Sequence, residues 1–229
     1  GGGQHPDENH FAGVLQVLSA QKCSTPVIPV AACPPGQREW ISIGEYFSSR
    51  TSPLNPYNRG AGSYVYGNLP MTIVRIVADA TNETNLREFA RQFSGLADLF
   101  AIFFLYLLVS RLYGRRVGLL ASLFSALTVM QIQQSHFFTV DLFVNTFALL
   151  TLCFAVAILE NRKEGAESRE PSIEDDASFP AAEEDLEAPP SRLTSLEPLI
   201  ADIKFLLRNR FFLLSIGFGI ALGMAMASK

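Results

Sequence analysis

Ser94–Ser110 reads SGLADLFAIFFLYLLVS, an apolar run broken by a single acid, Asp98. A helix needs about 20 residues to cross the hydrocarbon core of a bilayer, with a range of about 17–25. Three further stretches reach or nearly reach that length: Val117–Ile132, Val140–Leu159 and Phe211–Ala227. Val117–Ile132 does so only by including Gln131–Ser135. Buried helices of a soluble protein keep a polar face at a helical period, and these four do not. The expected fold class is therefore an all-α polytopic membrane protein.

Basic residues in short junctions orient such a chain. Arg111, Arg115 and Arg116 lie between the first and second runs, Arg162 and Lys163 follow the third, and Arg208 and Arg210 precede the fourth. The turn Gln133–Thr139 carries no Lys or Arg. Basic junctions inside leave Gln133–Thr139 and a large first loop, residues 1–92, outside. The expected organisation is that extracytoplasmic loop, three transmembrane helices over 93–160, a cytoplasmic insert over 161–208, and the start of a further transmembrane helix over 209–229. From Glu160 to Arg210 there are 13 acids against 7 bases. Within it, Glu164–Pro190 is also rich in Pro and Ala and nearly devoid of large apolar residues, so it cannot bury enough surface to offset chain entropy and is expected to be disordered.

Only 17% of the 229 residues are charged, where soluble domains carry about a quarter. Nucleic acid is excluded as a partner, because no basic stripe alternates with aromatic residues. The chain does not open on Met, and Lys229 closes an apolar stretch. We expect an internal piece of a longer protein, with an anchor upstream and more helices downstream. Cys23 and Cys33 share the first loop. In an oxidising compartment they can form a disulfide; two free thiols are the alternative, and their spacing fits no metal motif.

Within the first loop two helices are expected. Asn9–Ala20 places Phe11, Val14, Leu15 and Leu18 on one face, and Leu69–Ala80 does the same with Leu69, Ile73, Ile76 and Val77. Apolar stripes beside a membrane suit interfacial helices lying at its surface; packing on a small soluble cap is the alternative. His5-Pro6-Asp7-Glu8 stands at the start of the first helix. Acids there complement the helix dipole whatever else they do. Between the helices run Ser52-Pro-Leu-Asn-Pro-Tyr57 and Gly62-Ser-Tyr-Val-Tyr-Gly67, whose tyrosines can stack on a sugar or sit at headgroup level. Asp7, Glu8, Arg91, His136 and Asp141 all fall on the same expected side of the membrane. Carboxylates and a cation above apolar helices suit a reaction on a lipid phosphate.

This order of elements resembles the amino-terminal part of a GT-C fold glycosyltransferase, the class that uses polyprenyl-phosphate sugars. His5-Pro6-Asp7-Glu8 resembles the motif of the GPI-anchor mannosyltransferases, and Tyr66-Gly67-Asn68-Leu69-Pro70 a segment of bacterial protein-mannosyltransferase-like enzymes. Arg91…Ser94, Leu112-Tyr-Gly-Arg-Arg-Val-Gly-Leu-Leu-Ala121 and Gly223…Ser228-Lys229 also fit those enzymes. Asn55-Pro-Tyr57 and Gln131-Ile-Gln-Gln-Ser-His-Phe-Phe-Thr-Val-Asp141 extend the similarity to the bacterial and archaeal "YYY" membrane proteins, which the chain resembles most. Where those enzymes carry Pro-Pro-Leu, this chain has Asn68-Leu69-Pro70.

The resemblance implies an integral protein of a bacterial or archaeal plasma membrane with an extracytoplasmic site. Its partners would be a polyprenyl-phosphate-linked sugar, the lipid bilayer, and an acceptor protein, lipid or glycan. Asp7 would be the general base and Glu8 its companion, orienting Asp7 or binding the acceptor. Arg91 is the first choice for the donor phosphate and Arg59 the second, since a guanidinium offers bidentate contacts. Tyr64, Tyr66, His136 and Asp141 would bind or support the acceptor. Two outer acids can share a divalent ion; a metal stays open, and no other cofactor is implied. A transporter or lipid flippase is the competing reading, but such proteins put polar groups and broken helices at the bilayer midplane. A non-catalytic scaffold, with the acids as helix caps, is a third.

Overall fold

The computed structural model describes residues 6–23, 33, 37–167 and 209–229. Most of the acidic insert, residues 168–208, and His5 lie outside the described residues. The chain falls into two units, residues 1–153 with 219–229, and residues 154–218.

The first unit begins with helix α1 (Pro6–Val17), which starts earlier than the apolar pattern alone suggests. Pro6 opens it, where the missing N–H costs nothing, and Asp7 and Glu8 occupy the first turn, where acids complement the dipole. Strands β1 (Gln21–Cys23) and β2 (Arg38–Trp40) pair antiparallel, with Lys22 opposite Glu39. The disulfide Cys23–Cys33 lies beside them, its Cα atoms 5.7 Å apart. Helix α2 (Ile43–Phe47) is short but doubly capped: Ser42 Oγ accepts from Glu45 N, and Glu45 Oε2 accepts from Ser42 N at 2.8 Å. A 3-10 turn, Pro56–Arg59, ends at Gly60 in the left-handed region.

Helix α3 (Leu69–Thr81) also has Pro in its first turn and ends at Asn82 with φ 56°. Its buried residues are Pro70, Met71, Thr72, Val74 and Ala78. The stripe read from the sequence, Leu69, Ile73, Ile76 and Val77, is only partly covered. For α1 the anticipated stripe is buried, but by protein: Phe11, Leu15 and Leu18 share a core with Leu54, Tyr64, Met71, Val74, Phe138, Val140 and Phe143. Packing on a cap, rather than lipid, therefore accounts for the α1 stripe. Phe138, Val140 and Phe143 come from the start of a long apolar helix, so cap and membrane helices share this core.

Three helices are long and apolar enough to cross a membrane: α4 (Leu86–Tyr113), α7 (Asp141–Glu167) and α8 (Arg210–Ser228). At about 1.5 Å per residue, the 28-residue α4 outreaches a hydrocarbon core of about 30 Å. Its first turns thus extend past the apolar layer and carry Arg87 and Arg91 up to α1. Arg87 Nη2 donates to Asn9 Oδ1 at 3.2 Å. Gly114, at φ 90°, is the single residue between α4 and α5 (Arg115–Ala126), a conformation that glycine adopts without the steric cost a Cβ would bring. Gly118 then packs on Ser110, where a Cβ would come within 2.9 Å of the serine Cβ.

The second apolar run is not one straight helix. It breaks between α5 and α6 (Val129–Ser135), which are bent by 63°. Thr128 turns extended at the break, and its Oγ1 donates back to the Phe124 carbonyl at 2.9 Å. Hydroxyl groups that bond the backbone in this way compete with the helical ladder. With the bent pair counted as a span, up to four segments are suited to crossing. The chain is an all-α polytopic membrane protein apart from the short β1–β2 ribbon.

Candidate active site

The site is built where α1, the Tyr66–Gly67 loop, α6 and the start of α7 meet at the cap end of α4. Glu8 is fully buried. Arg91, one turn and a half into α4, grips it with both edges of a fork: Nε donates to Oε1 at 2.5 Å and Nη2 to Oε2 at 2.9 Å. The hydrogen bonds from Arg91 hold the Glu8 carboxyl below the usual carboxylate range, with the Phe138 amide adding to them, while burial pushes the other way. A buried carboxylate needs such pairing to stay charged. The Arg91 guanidinium also lies 5.9 Å from the centroid of the Phe137 ring.

Asp7, the neighbour of Glu8, is exposed and opens into a cavity of about 350 Å³. Phe11 and Tyr66 line one side of it, and Met130, Gln133 and Gln134 of α6 another. Phe137, Thr139, Val140 and Asp141 complete the wall. Asp7, Tyr66 and Asp141, all singled out from the sequence, thus face one space. Asp141 begins α7, and Lys229 Nζ stands 3.4 Å from its Oδ1. Gly67 permits this closure. A Cβ there would sit 2.5 Å from Ser228 C and 2.7 Å from Ala227 C, with Ala227 O closer still. Only glycine lets the loop lie against the end of α8.

Four other sequence candidates fall elsewhere. Tyr64 is 2% exposed and belongs to the core; its hydroxyl donates to the Gly67 carbonyl at 2.8 Å, and burial raises its pKa. That bond shapes the loop, and Tyr64 also lines a second cleft with Tyr57, Tyr66 and Asn68. Glu8, equally enclosed, cannot touch an acceptor. Arg59 is exposed and lines two clefts, one along α1 with Asn9, His10 and Val17 and one past its end with Arg38, Arg75 and Asp79; Asp7 lines neither. His136 is exposed, and its Nδ1 donates to the Ile132 carbonyl at 2.6 Å; it does not line the Asp7 cavity.

Two features carried no sequence signal strong enough to assign. Asp98 accepts from Gln131 Nε2 at 2.5 Å, and Ser125 Oγ donates to Gln131 Oε1 at 3.1 Å. This chain ties α4 across the bend to α6, answering how an acid is tolerated inside an apolar run. The three glutamines of Gln131-Ile-Gln-Gln134 were the available hint, since they interrupt the second run. Phe138 gives no side-chain signal either, because its contribution to Glu8 comes from the backbone amide. Among the described residues no group of three or more His, Cys, Asp or Glu side chains is arranged to hold a metal ion. The cavity supplies two carboxylates, Asp7 and Asp141, and a divalent ion such as Mg²⁺ is commonly held by one or two carboxylates together with water and substrate phosphate.

Residues 75–166 match the family model of dolichyl-phosphate-mannose-protein mannosyltransferases. Over that stretch the chain is similar to the GT-C mannosyltransferases of that family. No curated protein and no solved structure matched it. The mannosyltransferase-like stretch contains Arg91, Asp98, His136 and Asp141, while Asp7, Glu8 and Tyr66 precede it and Lys229 follows it. A glycosyltransferase is therefore indicated, and the fold brings the segments outside the match onto the same site.

Proposed function

We propose that the chain transfers a mannose-like sugar from a polyprenyl-phosphate carrier to an acceptor hydroxyl at the extracytoplasmic face of the membrane. The observation that carries this reading is the cavity that Asp7 and Asp141 share at the cap end of the membrane helices. Asp7 takes the proton of the acceptor hydroxyl as its oxygen attacks the anomeric carbon. The bond from that carbon to the phosphate oxygen breaks on the opposite face, so the configuration inverts. General-base assistance of this kind is worth about 10²–10⁴-fold.

The roles of the neighbours follow from their partners. Glu8 and Arg91 neutralise one another, so the pair positions α1, and with it Asp7, rather than meeting the donor. Charge developing on the leaving lipid phosphate calls for a cation at the rim. Lys229, held against Asp141, fills that role better than Arg91 or Arg59. Asp141 steadies the lysine and the acceptor. The extracytoplasmic placement is supported by the Cys23–Cys33 bridge, which belongs to an oxidising compartment. It is supported also by the basic junction Arg111–Arg116, which sits at the end of α4 away from the cap. Asp7→Asn of the full-length protein, with a polyprenyl-phosphate mannose donor, is the test. Transfer should fall by at least about 10²-fold, and near-normal transfer would remove Asp7 as the base.

A further inference from the structure

Tyr66 lines two spaces: the Asp7 cavity and, beyond it, a second cleft of about 320 Å³. That volume sits at the lower end of small-molecule sites, about 300–1,000 Å³. The second cleft combines rings with neutral polar groups. Phe47 and Tyr57, which line it, are 76% and 61% exposed, so core packing does not explain them. Both are held ready. The Phe47 ring packs edge-on against Tyr46, centroids 4.9 Å apart, and the Tyr57 hydroxyl donates to the Tyr64 carbonyl at 2.8 Å. Rings fixed beforehand bind at low entropic cost.

Asn68 supplies the polar side. Its Nδ2 donates to the Leu54 carbonyl at 2.7 Å, which fixes the amide, while its buried Oδ1 has no partner. A buried acceptor left unmet is costly and calls for a donor. The Tyr66 hydroxyl likewise makes no hydrogen bond among the described residues. No charged side chain lines the cleft among the described residues. A phosphate or charged headgroup would find no counter-charge there, and a serine or threonine side chain has no flat apolar face for the rings. A neutral pyranose has both an apolar face and a ring of hydroxyl donors.

We propose that this cleft of Phe47, Tyr57, Tyr66 and Asn68 is the acceptor subsite for a neutral glycan, seated so that its next hydroxyl passes Tyr66 to Asp7. The assignment rests on the transfer reading above for the word acceptor, but sugar binding itself can be measured without turnover. Saturation-transfer NMR and titration of the full chain in lipid nanodiscs with a mannose trisaccharide supply that measurement. Phe47→Ala and Tyr57→Ala should each raise Kd about tenfold, which corresponds to about 1.4 kcal/mol. Ile43→Ala, on the same helix and 79% exposed but outside the cleft, should leave Kd unchanged. Absence of saturable binding, or equal Kd in wild type and both ring variants, overturns the subsite. Binding that the ring variants lose and Asp7→Asn keeps, with no transfer by wild type, would uphold the subsite and sink the transferase reading instead.

Discussion

Glu8→Gln asks whether one ion pair docks the cap on the membrane helices. The Glu8 side chain is 0% exposed and that of Arg91 35%. Removing one partner of a fully buried pair costs about 3–5 kcal/mol, whereas an exposed pair contributes about 0–1 kcal/mol. With one partner enclosed and the other a third open, the expected loss is about 2–3 kcal/mol. Glutamine keeps the shape, but its amide N–H₂ faces a guanidinium donor, so at most one of the two hydrogen bonds survives. For a chain of this size that loss corresponds to a fall in Tm of about 5–10 °C. Arg91→Met should be at least as damaging, since it leaves Glu8 with the Phe138 amide and the more distant charge of Arg87.

The double variant Glu8→Gln/Arg91→Met should lose less than the sum of the two, by about 1–2 kcal/mol. Thermal unfolding in nanodiscs, paired with limited proteolysis of the cap, reads both quantities. The pH dependence has a definite sign. Because the folded carboxyl is held below its ordinary value, the pair stabilises fully above the unfolded pKa of about 4.3. Its contribution disappears as the pH falls through the lower, folded value. Acid should therefore narrow the gap between wild type and Glu8→Gln. Strictly additive losses, or a Glu8→Gln protein melting with wild type at pH 7, would refute the docking role.

Gly67→Ala should detach the end of α8 from the loop. Its Cβ would collide with backbone at Ala227 and Ser228, an overpacking cost of about 1–3 kcal/mol, visible as a lower Tm and as loss of a disulfide engineered across the contact. Cys23 and Cys33 should resist alkylation in native membranes until reductant is added. Opening their ten-residue separation should cost about 2–3 kcal/mol by loop closure, and ready labelling without reductant would contradict the bridge. Gln131→Leu should cost more stability than Gln131→Glu does at a pH low enough to protonate one acid, because only the leucine leaves Asp98 without a partner in the apolar run. Equal melting of the two variants there would speak against the Asp98–Gln131 bond.

Much of the site was legible residue by residue, but not as a set of partnerships. Asp7, Tyr66 and Asp141 could be assigned to one face because basic junctions orient the helices. Arg91 and Glu8 were also placed on that face, yet nothing local distinguishes a cation waiting for phosphate from one already gripping a buried carboxylate 83 positions away. Tyr64 and Tyr66 are two residues apart and chemically alike. One is packed against Phe11, bonds the Gly67 carbonyl and reaches only the second cleft, while the other also faces the Asp7 cavity.

Apolar length and the distribution of arginine and lysine carry the membrane architecture by themselves, since insertion depends on the composition of each segment rather than on its neighbours. The bend at Thr128, the burial of α1 by protein and the separation of Arg59 from Asp7 arise only when distant segments pack. Helical periodicity specifies which side chains share a face. What that face meets depends on competition among all the surfaces the folded chain brings together.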